Sequence, residues 1–177
     1  MVSDIKTMQT LESIEKILLT NQKAIIKEWF DKTVQAYPSQ TAHFLKSENN
    51  QFANPVGQLT QNGLEKIFDY LLHNQNNSDI LHEWIDPIIR VRAIQNFSPS
   101  QAIGFMFILK DIVRNQIQKN VQISIDNMIL FDQQIDKLAL YCFDIYMTCK
   151  DKLNELKVNE FKRQSFRFIE KSNKRNE

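Results

Sequence analysis

Glycine and proline are scarce, three and four residues in a chain of 177. A fold made of many short strands needs far more turn residues than that, so an all-β architecture is excluded. Cysteine is nearly absent. The two that occur, Cys142 and Cys149, are seven residues apart on one expected helix. Two helical turns separate such residues by roughly 10 Å along the axis, too far for a disulfide between them. A reduced, cytoplasmic protein is expected. No stretch reaches the ~18 uninterrupted apolar residues of a membrane span. Met1–Thr10 contains Asp4 and no apolar core of a secretory signal. Charge of one sign is lacking too: the net charge is +1, so nothing in the global field points to nucleic acid.

Missing motifs narrow the chemistry further. Gly57, Gly63 and Gly104 cannot form either glycine-rich phosphate loop. Three scattered histidines, His43, His73 and His82, and two distant cysteines offer no metal-ligand cluster. Ser98, Ser100 and the cysteines have no base beside them in sequence, and no catalytic constellation can be written.

What is present is an ordinary globular balance, 42% hydrophobic and 24% charged, with a surplus of amide side chains (16 Asn, 16 Gln). At this length one domain with a full core is expected. The most explicit signal is Ser98-Pro99-Ser100-Gln101. Ser98 is an N-cap, Pro99 the first helical residue and Gln101 the third, a capping box that satisfies backbone N–H groups from both side chains. Ala102–Leu109 follows with no polar side chain. A run that never shows a polar face predicts a helix enclosed by others, from Pro99 to about Lys119.

The remaining chain reads as helices. Thr10 is a candidate cap for a first helix with Leu11, Ile14, Ile17 and Leu18 on one face. Thr20-Asn21-Gln22 suggests a pause before a second, Lys23–Tyr37, ended by Pro38. Residues 38–53 read as irregular, with one turn of helix at Ala42–Lys46. Asn54-Pro55 repeats the cap-then-proline signature and opens a helix to His73. Asn74–Ser78 is a loop. The next helix, from Asp79, meets Pro87, which predicts a kink or a fresh start capped by Asp86, running to Asn96. Ser124 is expected to cap the last and longest helix, whose stripe repeats every seven residues: Met128, Ile135, Cys142, Cys149 and Leu156. Residues 157–177 carry seven Lys or Arg and three Glu, net +4, and Val158, Phe161, Phe168 and Ile169 give them an apolar edge. The division expected is a domain over 1–156 and a basic tail over 157–177.

Four segments also carry a likeness. Asn54-Pro-Val-Gly57, Arg92–Ala102, Leu109-Lys110 and Ile135–Met147 resemble the N-terminal domain of the RsbRD-type RsbT co-antagonists, over roughly Trp29–Leu156. That resemblance implies a bacterial stress-signalling input domain with a globin-like, haem-free fold in front of a phosphorylatable output domain. The helices would then be A (Thr10–Leu19), B (Lys23–Tyr37), a short C, E (Pro55–His73), F (Asp79–Asn96), G and H. No such output domain follows Leu156 in these 177 residues, so membership of a stressosome-like complex is not implied. Where a globin carries its proximal histidine, this sequence has Ile89–Phe97, without His, Cys, Met or Tyr. Haem is not expected.

The fold expected is therefore all-α, one globin-like domain of six to seven helices with a long C-terminal helix. Within it, Arg90, Arg92, Lys110, Asp136 and Asp144 stand among apolar neighbours, where an unpaired charge is costly. We expect Arg92 or Lys110 to pair with Asp136 or Asp144. The pairing either fixes helix register, the weightier reading, or receives an anion or relays a shift. Trp29, Phe105, Phe107, Leu109 and Phe143 would line an apolar cavity able to hold a fatty acid, unless they fill the core themselves. The function expected is a non-enzymatic sensor, homodimeric through its G and H helices and acting on a regulatory protein. The alternative is a carrier of a small apolar, fatty-acid-like ligand without signalling output.

Overall fold

The computed structural model describes residues 2–48, 50, 52–73, 78–118 and 125–173. Among them are seven helices and no strand: α1 (Val2–Val34), α2 (Ser39–Ser47), α3 (Pro55–His73), α4 (Ser78–Ile94), α5 (Pro99–Ile103), α6 (Phe105–Gln118) and α7 (Ile125–Asn173).

The expected break between the first two helices does not exist; α1 runs through it. Thr20 Oγ1 donates to Lys16 O at 2.7 Å and Asn21 Nδ2 to Ile17 O at 2.9 Å. Both polar side chains fold back onto their own helix instead of competing with its backbone. Thr10, the expected first cap, lies within α1 rather than at its start. Pro87 does not restart α4 either. The helix is continuous from Ser78 to Ile94, and Asp86 reaches forward to Arg90 Nε at 2.5 Å rather than capping a new turn. The single turn expected near Ala42 is the whole of α2.

The central helix is divided. A Cβ on Gly104 would stand 2.7 Å from Ser100 O, so only glycine fits where α5 gives way to α6. The expected caps at Ser98 and Asn54 are present. Gln101 N donates to Ser98 Oγ and Ser98 N to Gln101 Oε1, the full capping box. Gly57 N donates to Asn54 Oδ1 at 2.9 Å, while Asn54 Nδ2 holds the carbonyls of Leu45 and Glu48 at the end of α2. Ser124, the Asn74–Asn77 part of the expected loop and Lys119 lie outside the described residues.

α6 packs against α1 and α7, and α4 lies against α3 and α7. Between α3 and α4 the approach is close: a Cβ on Gly63 would meet Ile88 Cδ1 at 2.5 Å. Trp29, Phe68, Ile67, Ile85, Ile89 and Met106 are fully buried at the centre. On α7 the inward stripe is Phe131, Ile135, Leu138, Cys142, Ile145 and Cys149, with both cysteines free and buried. The helix continues unbroken across the expected boundary at Leu156. Leu153 is its last residue packed on the core, and side chains from Asn154 to Phe168 stand exposed apart from Ser165, which is half-buried.

Candidate functional site

Of the polar residues singled out in the sequence, Arg92 lies at one corner, the turn from α4 into α5, where several elements meet. α4 ends in a local motif. Asn96 adopts φ 61°, a left-handed conformation that Asn tolerates better than other non-glycine residues. Phe97 N donates to Arg92 O at 3.1 Å and Asn96 N to Ala93 O at 3.3 Å, which closes the helix terminus. Two residues later the Ser98 capping box starts α5. Chain reversal here is encoded locally.

Arg92 lies beneath this corner at 2% exposure and forms no ion pair among the described residues. Its guanidinium donates to Gln101 O at 3.1 Å, Ala102 O at 3.3 Å and Thr33 O at 3.4 Å. These carbonyls belong to the last turns of α5 and α1, where helices leave backbone acceptors unmet and carry partial negative charge. One cation thus closes two helix C-termini at once. Its central carbon sits 4.8 Å from the Phe105 ring centroid and 5.6 Å from that of Phe97, so ring faces supply the rest of its environment. Burial pulls its pKa below the usual arginine range, with Tyr37 and Cys142 acting weakly the other way. The Arg92 Nε and the Thr33 hydroxyl beside it are buried without a hydrogen-bond partner.

α7 is fastened to the same corner. Tyr146 OH donates to Phe97 O at 2.7 Å and Lys150 Nζ to Ala93 O at 3.0 Å. From the turn after α1, Tyr37 OH donates to Gln95 Oε1 at 2.8 Å, its ring edge-on to Phe97 at 4.8 Å. α4, α5, α6 and α7 meet at this corner, and α1 joins them through the Thr33 carbonyl.

The expected polar network is therefore three separate arrangements. Lys110 and Asp136 join α6 to α7 at 2.5 Å. Arg90 pairs within its own helix with Asp86. The Lys110–Asp136 pair is one of the expected pairings, whereas Arg92 pairs with backbone instead of a carboxylate. Asp144 lies on the exposed face of α7 with no ion pair among the described residues, and its carbonyl accepts from Thr148 Oγ1. A further cross-helix pair, Arg114 with Asp132, was not anticipated. Tyr37, Tyr146 and Lys150, and the Thr33 carbonyl that accepts from Arg92, are likewise outside the sequence reading: a search for opposite charges passes over neutral and carbonyl partners.

The five residues expected around a cavity also part company. Trp29, Phe105 and Leu109 are core; Trp29 Nε1 donates to Phe105 O at 2.6 Å and the rings stack at 6.0 Å. Phe107 and Phe143, 48% and 43% exposed, face outward. With Pro99, Ile103 and Leu140 they line an open surface groove of 540 Å³, beside Asp136 and at the foot of the capping box. Leu140 and Met147 continue this apolar face along α7.

Among the described residues no group of three His, Cys, Asp or Glu side chains is placed to hold a metal ion. No helix among them is long and apolar enough to cross a membrane. His82 stands at the surface, its Nδ1 2.8 Å from Tyr141 OH; His73 Nδ1 meets Asp69 O at 2.8 Å. The inward positions of α4 that would face a haem are Ile85, Ile88, Ile89, Arg92 and Ala93.

Comparison with known proteins places these features. Residues 23–159 match the family described as the RsbT co-antagonist protein rsbRD N-terminal domain. An uncharacterized protein of Archaeoglobus fulgidus is 23% identical over 142 residues, 79% of this chain and 84% of that protein. No solved structure matches.

Proposed function

The chain belongs to the RsbT co-antagonist protein rsbRD N-terminal domain family, a regulatory family of stress signalling, and from that membership we propose a non-enzymatic, cytoplasmic sensor domain that works as a homodimer. The dimer forms through the outward groove of α5, α6 and α7. The carrying observation is that groove: an exposed apolar face at Phe107, Leu140 and Phe143 with buried Ile103 at its base, beside the corner where α1, α4, α5, α6 and α7 are tied together. Large apolar patches of this kind on a folded chain mark interaction surfaces. A change in how two copies meet there would move α7 relative to the Arg92 corner, and α7 continues past the body to Asn173. The exposed segment beyond Leu153 is the route by which that shift reaches a regulatory protein. Residues 1–156 act in this scheme as the sensing body and 157–177 as the basic extension.

Haem has no part in this reading. The α4 face carries isoleucines, an alanine and an arginine bound to backbone carbonyls where an axial ligand would have to stand. The globin-like assignment of the helices belongs to the same proposal and rests on their order and on the long terminal pair.

Light scattering of the purified chain tests the dimer. Each of Leu140 and Phe143 contributes about 1.5–3 kcal/mol when buried, and two copies bury four such side chains. The double change Leu140→Glu, Phe143→Glu should therefore weaken dimerisation well over a hundredfold with the helical circular dichroism unchanged. A wild-type chain that is monomeric at tens of micromolar would remove the proposal.

A further inference from the structure

Leu153 is the last residue of α7 packed on the core, and the helix runs on to Asn173. On this arm Val158, Phe161 and Phe168 are 51%, 71% and 78% exposed. Steps of three, four and three residues bring Val158, Phe161, Ser165 and Phe168 onto one face. Leu156 and Phe166, also exposed, stand off it. An apolar run of this kind, left in water on a folded chain, marks a surface that meets another.

The charges around the face decide what it meets. At about 100° per residue, Lys157 and Lys162 fall on its opposite flanks, each within about 90° of its middle. Glu160 falls on the far side, where it lies 3.8 Å from Arg163 and accepts from Gln164 Nε2 at 3.1 Å. Glu155 precedes the apolar face, and residues 157–177 carry a net +4. A second copy of this helix is a poor cover. In a parallel pair with Val158, Phe161, Ser165 and Phe168 as the seam, Lys157 of each helix meets Lys162 of the other, and Ser165 interrupts the seam. An anionic lipid surface reverses the sign of that contact. Lysine stems lie along an apolar face while their ammonium groups reach outward, and a negatively charged headgroup layer attracts each of them. Glu160, on the opposite side, stays in water.

We propose that α7 beyond Leu153 is a membrane-surface helix. It lies in the plane of an anionic bilayer, with Phe161 and Phe168 at the boundary of headgroups and acyl chains and Lys157 and Lys162 on the lipid phosphates. This goes beyond the sensor reading and is independent of the groove dimer, since the two faces share no residue. Flotation of the full chain with vesicles tests it, using phosphatidylcholine alone and phosphatidylcholine mixed with phosphatidylglycerol. Partitioning onto the mixed vesicles should exceed that onto phosphatidylcholine by about tenfold or more. It should fall steeply between about 0.1 M and 1 M salt, as the screening length shrinks from about 10 Å to 3 Å. The pairs Phe161→Ser, Phe168→Ser and Lys157→Gln, Lys162→Gln should each weaken it about tenfold, with the helical circular dichroism unchanged because all four positions are exposed. Absence of flotation with the mixed vesicles overturns the proposal, as does equal flotation with phosphatidylcholine alone. So does a phenylalanine pair variant within about twofold of wild type, which would leave charge without insertion. Self-association through this face, or capture of an acidic protein on it, without vesicle binding overturns it equally. Should the phenylalanine variant not fold, the lysine pair and the salt series decide.

Discussion

Arg92 offers the sharpest test of how this molecule is held together. A buried cation without a carboxylate is by ordinary reasoning a liability, because removing the charge from water costs several kcal/mol. Against that stand three donated hydrogen bonds and two aromatic faces. Hydrogen bonds from a charged donor contribute about 1.5–3 kcal/mol each. Two of the three here, at 3.3 and 3.4 Å, are longer than the usual range and belong at the low end. Desolvated cation–π contacts add about 2 kcal/mol apiece. The favourable side comes to roughly 8 kcal/mol against a desolvation cost of about 6, leaving a net stabilisation of roughly 2 kcal/mol. Arg92→Met, similar in length but without donors, should therefore lower unfolding free energy by about 2 kcal/mol. Arg92→Ala, which also opens a cavity between α1 and α5, should lower it by about 4 kcal/mol. Urea unfolding at pH 7, followed by far-ultraviolet circular dichroism and by the emission of Trp29, measures both. An Arg92→Met variant as stable as the wild type, or more stable, would show that desolvation wins and that the two helix ends do not depend on this side chain.

Two further outcomes follow from the same neighbourhood. Thr33 keeps a buried hydroxyl without a partner, so Thr33→Val, nearly equal in shape, should be neutral or stabilising by up to about 1 kcal/mol in thermal unfolding; a loss beyond 1 kcal/mol would mean that the hydroxyl is engaged after all. Burial pushes the Cys142 thiol up to about 12, with Arg92 acting in the opposite direction. The folded state holds this proton more tightly than the unfolded one, so its contribution is complete below about pH 9 and is lost as pH rises from 9 toward 12, about 1.4 kcal/mol by pH 10. Cys142→Ala should remove that part of the alkaline destabilisation, and iodoacetamide should leave Cys142 unmodified in the native chain at pH 8; an identical alkaline slope in the variant would refute the assignment.

Much of this was legible before any coordinates. The Ser98 and Asn54 caps are local chemistry, a side-chain oxygen three residues from the N–H it satisfies, and such short-range bonds depend on nothing distant. The seven-residue stripe of α7 likewise needs only the helical period to be read as far as Cys149, whereas Leu156, its expected last member, is exposed because no other described helix covers α7 there. Errors arose where the local signal was ambiguous. Thr20-Asn21 looks like a helix end because these residues often divert the backbone, yet here they bond back onto the same helix. Pro87 was read as a possible restart, but the helix around it is buried on Ile85, Ile88 and Ile89, and that packing carries it through.

The amino-acid order by itself thus determined the helical class, the Ser98 and Asn54 caps and the turn that joins α4 to α5, all set by spacings within one or two turns. Which charges would meet was left to the tertiary structure. Lys110 and Asp136 are 26 residues apart, and Arg92 and Thr33 are 59 apart. Only the packing of α1, α4 and α5 brings two helix ends onto one guanidinium. It also turned Phe107 and Phe143 outward while Trp29, Phe105 and Leu109 went in, because one apolar run on a helix surrounds its axis and the neighbours choose which side is covered.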